Sequence, residues 1–297
     1  MEVGHTMQYL ITGASGQLGS YLLRELENPS AATAWSGRGQ GKPSGHSLRP
    51  VDLADQDSVV AAYRDANPQI VVHSAAISTV GGCYEDPERA QAVNENGTRL
   101  LTELAAESHA RFVFVSTDLV FDGEQAPYAE SDKPSPLSRY GQTKAAAEAH
   151  VLAIPRSSVV RVSLLFGPAI NGRPTFFDRQ LESIRQQTRW TLFADEWRTP
   201  LSVSVAAAGI LAVATSDHAG ILHMGGPERL TRLEMSHRVA SYFGLDGTTL
   251  VSGKRADVAA PEPRPRDVSL DSSHWQRQFP NARWPNFEEA LAEFATD

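Results

Sequence analysis

Thr12-Gly13-Ala14-Ser15-Gly16-Gln17-Leu18-Gly19 follows a short apolar run, Gln8–Thr12, and opens a helical stretch, Gln17–Leu26. Glycines at this spacing let a chain turn tightly and let backbone N–H groups approach a pyrophosphate, while the helix N-terminus adds favourable partial charge. A strand, such a turn and a helix in that order begin a doubly wound α/β sheet. Gly13, Ser15, Gly16, Gln17, Leu18 and Gly19 are therefore the expected contacts to a dinucleotide. An ordinary glycine-rich βα turn is the plainer alternative, and the position, the spacing and the preceding strand weigh against it.

The rest of the chain alternates in the same way. Ala31–Ser36, Ile70–Ser74, Arg111–Ser116 and Ser158–Ser163 read as buried strands. Ser58–Asp65, Glu88–Ser108 and Arg139–Ala153 read as helices between them, while Gly37–Arg49 and Asp118–Ser138 read as loops or irregular chain. Short apolar strands separated by helices predict a parallel, doubly wound sheet. After Phe166 the pattern loosens. Phe176–Gln187, Val203–Ala214, Leu233–Phe243 and Phe287–Phe294 look helical, Ile221–Met224 looks like a strand, and Gly253–Asp267 is a Pro- and Arg-rich loop. The expected organisation is a dinucleotide-binding domain over residues 7–165 and a smaller, mainly substrate-binding region over 166–297, interleaved with the last elements of the sheet.

Composition excludes several partners. The 297 residues carry 27 Lys and Arg against 35 Asp and Glu, a net charge of −8 that disfavours a nucleic-acid backbone. No apolar run approaches the roughly 20 residues of a membrane span. Met1–Thr6 lacks the apolar stretch of a signal peptide, and Met7 reads as an alternative start. The single cysteine, Cys83, allows no internal disulfide, which fits a soluble protein of the reducing cytoplasm. The nine histidines show no metal-ligand spacing, so no metal is expected.

The region that ends the second strand reads Ala34-Trp35-Ser36-Gly37-Arg38, and no acid occurs from Ser30 to Val51. A carboxylate there would hold the ribose hydroxyls of NAD and repel a 2′-phosphate. Arg38 can instead pair with that phosphate and Ser36 can add a hydrogen bond, so NADP(H) is the expected cofactor and NAD(H) the lesser one. A solvated Arg38 is the plainer alternative. Asp52-Leu53 ends the next strand-like segment, where Asp52 can serve as a helix N-cap.

Tyr140-Gly141-Gln142-Thr143-Lys144 puts Tyr140 and Lys144 four apart on one helical face. A neighbouring ammonium is expected to lower the phenol pKa and fit Tyr140 for proton transfer to a carbonyl, with Lys144 also binding the cofactor ribose. The strand before it ends Val115-Ser116-Thr117-Asp118. One hydroxyl there faces the site and can donate to a substrate oxygen, although strand-end capping is a common role for the same residues.

Taken together, the chain resembles the extended short-chain dehydrogenase/reductases, and within them the dTDP-4-dehydrorhamnose reductase-like group. Carrying the resemblance are Leu10–Gly19, Ala75-Ala76, Asn94, Ser116–Gly123 (STDLVFDG), Tyr140–Lys144 with Glu148, Arg161-Val162-Ser163, Arg198-Thr199-Pro200 and Arg264–Asp271 (RPRDVSLD). The family implies a Rossmann fold and NAD(P)H-dependent reduction of a keto sugar nucleotide. Thr117, Tyr140 and Lys144 would be the catalytic trio, Asp52 and Leu53 adenine contacts as an even alternative to the Asp52 N-cap, Ala75 and Ala76 further cofactor contacts, and Asp118, Leu164 and Arg198 substrate contacts beside Thr117. Leu164 stands where the rhamnose-forming reductases carry an aromatic residue, and His73-Ser74 replaces the usual Asn before Ala-Ala. The regulatory beta subunit of methionine adenosyltransferase looks similar through the same motifs. A sugar-nucleotide epimerase or dehydratase is a further alternative; Leu119, where 4,6-dehydratases carry Glu, and the basic second-strand region argue against it.

His73 and Ser74 read as packing at a strand end. Cys83 can rim the cleft, but no His partner is fixed by the sequence. Arg173, Arg198 and Arg264 fall in loops where a diphosphate can be gripped. The partners left are a nucleotide-sugar or related keto substrate and, for a homodimer, a second copy of the chain.

Overall fold

The computed structural model describes residues 7–26, 28, 31–37 and 45–295. Four short β-branched and apolar runs supply the centre of a seven-stranded sheet. In chain order its first half is β1 (Tyr9–Thr12), α1 (Gln17–Glu25), β2 (Ala32–Ser36), β3 (Leu48–Pro50), α2 (Gln56–Ala66) and β4 (Ile70–His73). Then come α3 (Val80–Glu85), α4 (Pro87–Gln91), α5 (Gly97–Glu107), β5 (Arg111–Thr117), α6 (Arg139–Leu152) and β6 (Ser157–Val162). The strands are ordered β3-β2-β1-β4-β5-β6, and all their pairings are parallel.

Alternation along each strand builds a core on both faces. Ile11, Val72, Val113 and Val160 pack with Tyr21 and Leu22 of α1 on one side. Leu10, Val71, Phe112 and Val159 pack with Val59 of α2, Leu101 of α5 and Val151 of α6 on the other.

The remaining elements are β7 (Leu165–Phe166), α7 (Phe176–Arg185), β8 (Trp190–Phe193), β9 (Trp197–Arg198), β10 (Leu201–Ser202) and α8 (Val203–Thr215). β11 (Gly220–Met224), β12 (Leu230–Thr231), α9 (Arg232–Tyr242), β13 (Leu250–Gly253), α10 (Ser273–Gln278) and α11 (Phe287–Ala292) follow. β11 joins the main sheet beside β6 as its outermost strand, and α8 packs with α1 under the sheet. A separate apolar cluster of Phe166, Phe177, Leu230, Met235, Val239, Phe287 and Leu291 holds the later elements together.

Three sequence expectations change. The loop expected over Gly37–Arg49 ends early, because Leu48–Pro50 pairs with β2; residues 38–44 lie outside the described ones. The long helix expected over Glu88–Ser108 is α4 and α5 joined by a π-helical turn, Ala92–Asn96, which accommodates the buried side chain of Asn94. The helices α3 and α10, the paired strands β8 and β13 and the two-residue strands were not expected at all.

α6 is fixed to the sheet by a buried network. Arg161 of β6 donates to both carboxylate oxygens of Glu148, Nε to Oε1 at 3.0 Å and Nη2 to Oε2 at 2.7 Å, Ser116 donates to the same carboxylate, and Arg161 also donates to His223 at 3.2 Å. Such a pair costs desolvation, and its bidentate geometry specifies one docking of the helix.

Candidate active site

Gly13 has φ +71°, and a Cβ there would lie 2.7 Å from the Ala75 amide nitrogen. Only glycine fits both the turn and this approach. Gly16 caps α1 without a side-chain hydrogen bond, and the first turn of α1 carries no acid. The helix therefore presents uncapped N–H groups to a cleft of about 770 Å³. Gly13, Ser15, Gly16, Gln17, Leu18, Gly19, Ser36, Asp52, Leu53, Ala75 and Ala76 line one stretch of that cleft. Thr117, Asp118, Tyr140, Lys144, Leu164 and Arg198 line the other. Arg38 lies outside the described residues.

The Ser15 and Ser36 hydroxyls are hydrogen-bonded at 2.7 Å, tying the turn to the end of β2. Asp52 accepts from the Ala54 N–H and, at 2.7 Å to each oxygen, from Arg89. Burial works against its ionisation, but the Arg89 hydrogen bonds and charge, with Ala54, hold the carboxyl below its ordinary value. The N-cap of α2 is Asp55, which accepts from Ser58 N, so Asp52 is not that cap.

α6 begins at Ser138, whose hydroxyl accepts from the Gly141 N–H at 3.2 Å. Lys144 is fully buried; its Nζ donates to the Val115 carbonyl at 2.7 Å and sits 3.8 Å over the Phe114 ring. Burial pulls its pKa down to about 7, against the opposing charge of Glu148. The Tyr140 phenol is not lowered as the motif suggests. Burial raises it, the charges of Asp118 and Cys83 add to that, and only the Thr117 hydroxyl opposes. The reason is geometric: the ammonium is turned to the strand carbonyl, and desolvation of the phenolate dominates.

Thr117 donates to Asp118 at 3.1 Å and accepts from Leu119 N at 3.2 Å, so it caps the short 3-10 turn after β5 as well as lining the cleft. Ser116 is committed to Glu148. Asp118 is buried and its pKa is raised by burial, against Arg198, Ser163 and Thr117. Ser163 donates to Asp118 at 2.9 Å and Arg198 Nε lies 3.5 Å from it, while Arg198 Nη2 reaches Glu196 at 3.1 Å.

His73 is fully buried between the Thr12 and Thr98 hydroxyls at 2.6 Å and 2.8 Å, and burial takes its pKa to about 3. It is a packing residue under the turn. Ser74 donates to the Thr12 carbonyl at 2.7 Å and also lines the cleft. Cys83 is buried, with its thiol donating to the Ile77 carbonyl at 3.2 Å. Arg173 lies at the cleft rim, but Arg264 is outside it, stacked on Phe193 at 5.2 Å. Two cleft arginines escaped the sequence reading, Arg89 and Arg232. The capping box of Thr231 and Glu234 was the available signal for the second, because it starts α9 at Arg232. Among the described residues no cluster suits a metal ion, and no helix is long and apolar enough to cross a membrane.

Comparison with known proteins gives a consistent picture. Residues 7–297 match the family described as RmlD substrate binding domain. A dTDP-4-dehydrorhamnose reductase of Streptomyces griseus is 30% identical over 91% of this chain and 87% of its own. Methionine adenosyltransferase 2 subunit beta of Mus musculus is 28% identical over 97% and 88%. The crystal structure of dTDP-4-dehydrorhamnose reductase from Bacillus anthracis in complex with NADP superposes with a TM-score of 0.86, at 23% identity, over 98% of this chain and 99% of that one. Having the glycine-rich turn, the Thr117, Tyr140 and Lys144 constellation and a match over nearly its full length, the chain belongs to the RmlD substrate binding domain family, within the dTDP-4-dehydrorhamnose reductase-like oxidoreductases.

Proposed function

We propose that this protein is an NADPH-dependent reductase of a keto group on a nucleotide-linked sugar. The observation that carries the reading is the meeting of Thr117, Tyr140 and Lys144 in one cleft with the uncapped N-terminus of α1. The cradle fits a dinucleotide: the Gly13–Gly19 turn for the pyrophosphate, Ser36 for the 2′-phosphate, Asp52 and Leu53 for the adenine, and Ala75 and Ala76 for the nicotinamide half; Arg38, two residues after Ser36 in the sequence, is the cation proposed to join Ser36. When bound, NADPH supplies the hydride. The NADP in the Bacillus anthracis relative supports this choice.

Tyr140, with its phenol raised by burial, stays protonated at neutral pH. That is the form a reduction needs, because the carbonyl oxygen takes up a proton as hydride reaches carbon. Thr117 donates to the same oxygen as negative charge builds on it. Lys144 holds the ribose hydroxyls and, in its charged form, eases loss of the phenol proton. Asp118 and Arg198 orient the sugar, and Leu164 gives an aliphatic wall. That wall makes a keto sugar other than the rhamnose precursor as acceptable as dTDP-4-dehydrorhamnose itself.

The test is NADPH oxidation against a panel of keto-sugar nucleotides and free keto sugars. Turnover of at least one is expected, and Tyr140→Phe should keep NADPH affinity while losing about 10² to 10⁴ in rate. An active Tyr140→Phe enzyme rejects the mechanism. The 28% identity to a methionine adenosyltransferase beta subunit supports a second reading, a cofactor-binding regulatory subunit. That reading prevails if nothing turns over and the protein co-purifies in fixed ratio with an enzyme whose kinetics it changes.

A further inference from the structure

One ion pair joins two walls of the cleft. Asp52 lies between β3 and α2, and Arg89 lies on α4, which follows β4. In the sheet β2 and β1 stand between those two strands, so the contact bridges elements that the sheet keeps apart. Asp86 caps α4 by accepting the Arg89 N–H at 2.9 Å, and Pro87 opens the helix, which fixes the point from which the long side chain departs.

The bonding within the pair is lopsided. Arg89 Nη2 alone donates to both Asp52 oxygens, at 2.7 Å each, and Oδ1 also accepts from the Ala54 N–H at 3.0 Å. Among the described residues Oδ2 accepts from Arg89 alone and keeps a lone pair. Both side chains are 44% exposed, and an ion pair that open does little for folding. Its place in the cleft is more telling. Trp35, Leu53, Ala75 and Val93 line the same cleft and belong to the apolar cluster under α2 and α5. Leu53 follows Asp52, and Val93 is four residues on from Arg89. An apolar wall edged by a carboxylate suits a flat ring that carries an amino group. A ring seated there covers the pair and expels water, which strengthens every polar contact at that edge.

We propose that Arg89 is a positioning residue for the adenine of the cofactor: it holds the Asp52 carboxylate in place to accept from the adenine amino group. Arg89 thereby sets a preference for adenine over a base with a carbonyl at that position, which would turn an acceptor toward the carboxylate. The inference takes Asp52 as the adenine contact from the cofactor reading above and is independent of the sugar that is reduced. The experiment titrates NADP⁺ and its deamino analogue, nicotinamide hypoxanthine dinucleotide phosphate, into the full chain by calorimetry. The proteins are the wild type, Arg89→Ala, Arg89→Lys and Asp52→Asn. The wild type should prefer NADP⁺ about tenfold, the worth of one hydrogen bond to a charged acceptor. Arg89→Ala should lose about three- to tenfold in NADP⁺ affinity and keep its affinity for the analogue, so that the preference shrinks. Arg89→Lys should recover part of it, and Asp52→Asn should lose it as Arg89→Ala does. Urea midpoints should match the wild type, since the pair is exposed, so the losses are not those of an unfolding variant. Equal wild-type affinities for the two dinucleotides overturn the proposal and leave the cofactor assignment standing. An equal loss for both in Arg89→Ala also overturns it and assigns Arg89 to the phosphates. A gain in NADP⁺ affinity in Arg89→Ala overturns it too, because Arg89 would then compete with adenine for the carboxylate. If the preference depends on Arg89 while no keto sugar is reduced, the reductase reading falls and this one stands.

Discussion

Lys144 and Tyr140 are four residues apart on one helix, yet burial moves them in opposite directions, the ammonium down to about 7 and the phenol upward. Both shifts favour the neutral form, as desolvation always does. A ligand that brings hydroxyls or negative charge to Lys144 reverses its side of that balance and restores the cation. In the proposed mechanism, cofactor binding and proton donation are thereby coupled through one side chain. Arg38 is the residue proposed for the far end of the same cofactor. It lies outside the described residues, so its role rests on the sequence around it and on the Ser36 hydroxyl, which faces the cleft. Arg38→Ala should weaken NADP(H) about ten- to a hundredfold and leave NAD(H) unchanged, measured as dissociation constants. Equal wild-type affinities for the two cofactors would reject the assignment.

At the scale of elements, α6 is the part on which the proposed chemistry depends, and three contacts set its height over the sheet: Glu148 to Arg161, Lys144 to Val115, and Gly141 against the turn after β5. A Cβ on Gly141 would stand 2.2 Å from the Leu119 carbonyl oxygen and 2.8 Å from the Pro136 side chain. Gly141→Ala gains helix propensity worth about 1 kcal/mol. The displaced backbone outweighs that gain, so a net loss of about 1–3 kcal/mol is expected. Tyr140, one residue away, should move with the first turn, so rate should fall more than cofactor affinity. Chemical unfolding and steady-state kinetics check both; a variant as stable and active as the wild type would remove Gly141 from the argument. The sequence carried this much plainly. β1, the turn, α1, β4, β5, α6 and β6 have strong apolar periods or motifs, and they hold most of the cleft. It did not carry the π-helical turn at Asn94: Asn94-Glu95-Asn96-Gly97 interrupts the helical composition of Glu88–Ser108, but such residues mark a break without specifying its geometry. Nor did it carry two-residue strands such as β9 and β12, which are too short for any period and exist only through tertiary pairing. Arg232 was lost with them.

For the whole molecule, the histidines His73 and His223 are completely buried, and burial holds each at about 3, with Lys144 and Arg161 respectively adding to the shift. An unfolded chain protonates them near 6.5. Between about 6.5 and 3 the unfolded state therefore binds more protons, and stability falls as pH falls. From pH 6.5 to 5 the loss is about 2 kcal/mol per histidine, at 1.36 kcal/mol per pH unit. The raised Asp118 opposes part of it, because it takes up its proton early in the folded state. Urea unfolding at the two pH values should show a smaller drop in His73→Gln and in His223→Gln than in the wild type; an identical drop would mean these imidazoles do not report on folding. His223 has a second part to play through its backbone. It lies on β11, the outer strand of the sheet, where its N–H donates to the Glu130 carboxylate at 3.0 Å and its ring bonds the Tyr128 carbonyl at 3.0 Å. At the opposite margin β3 is three residues long and ends in Pro50. A strand arriving from another molecule would meet a carboxylate on one side and a proline on the other, so each margin resists templated growth into a fibre.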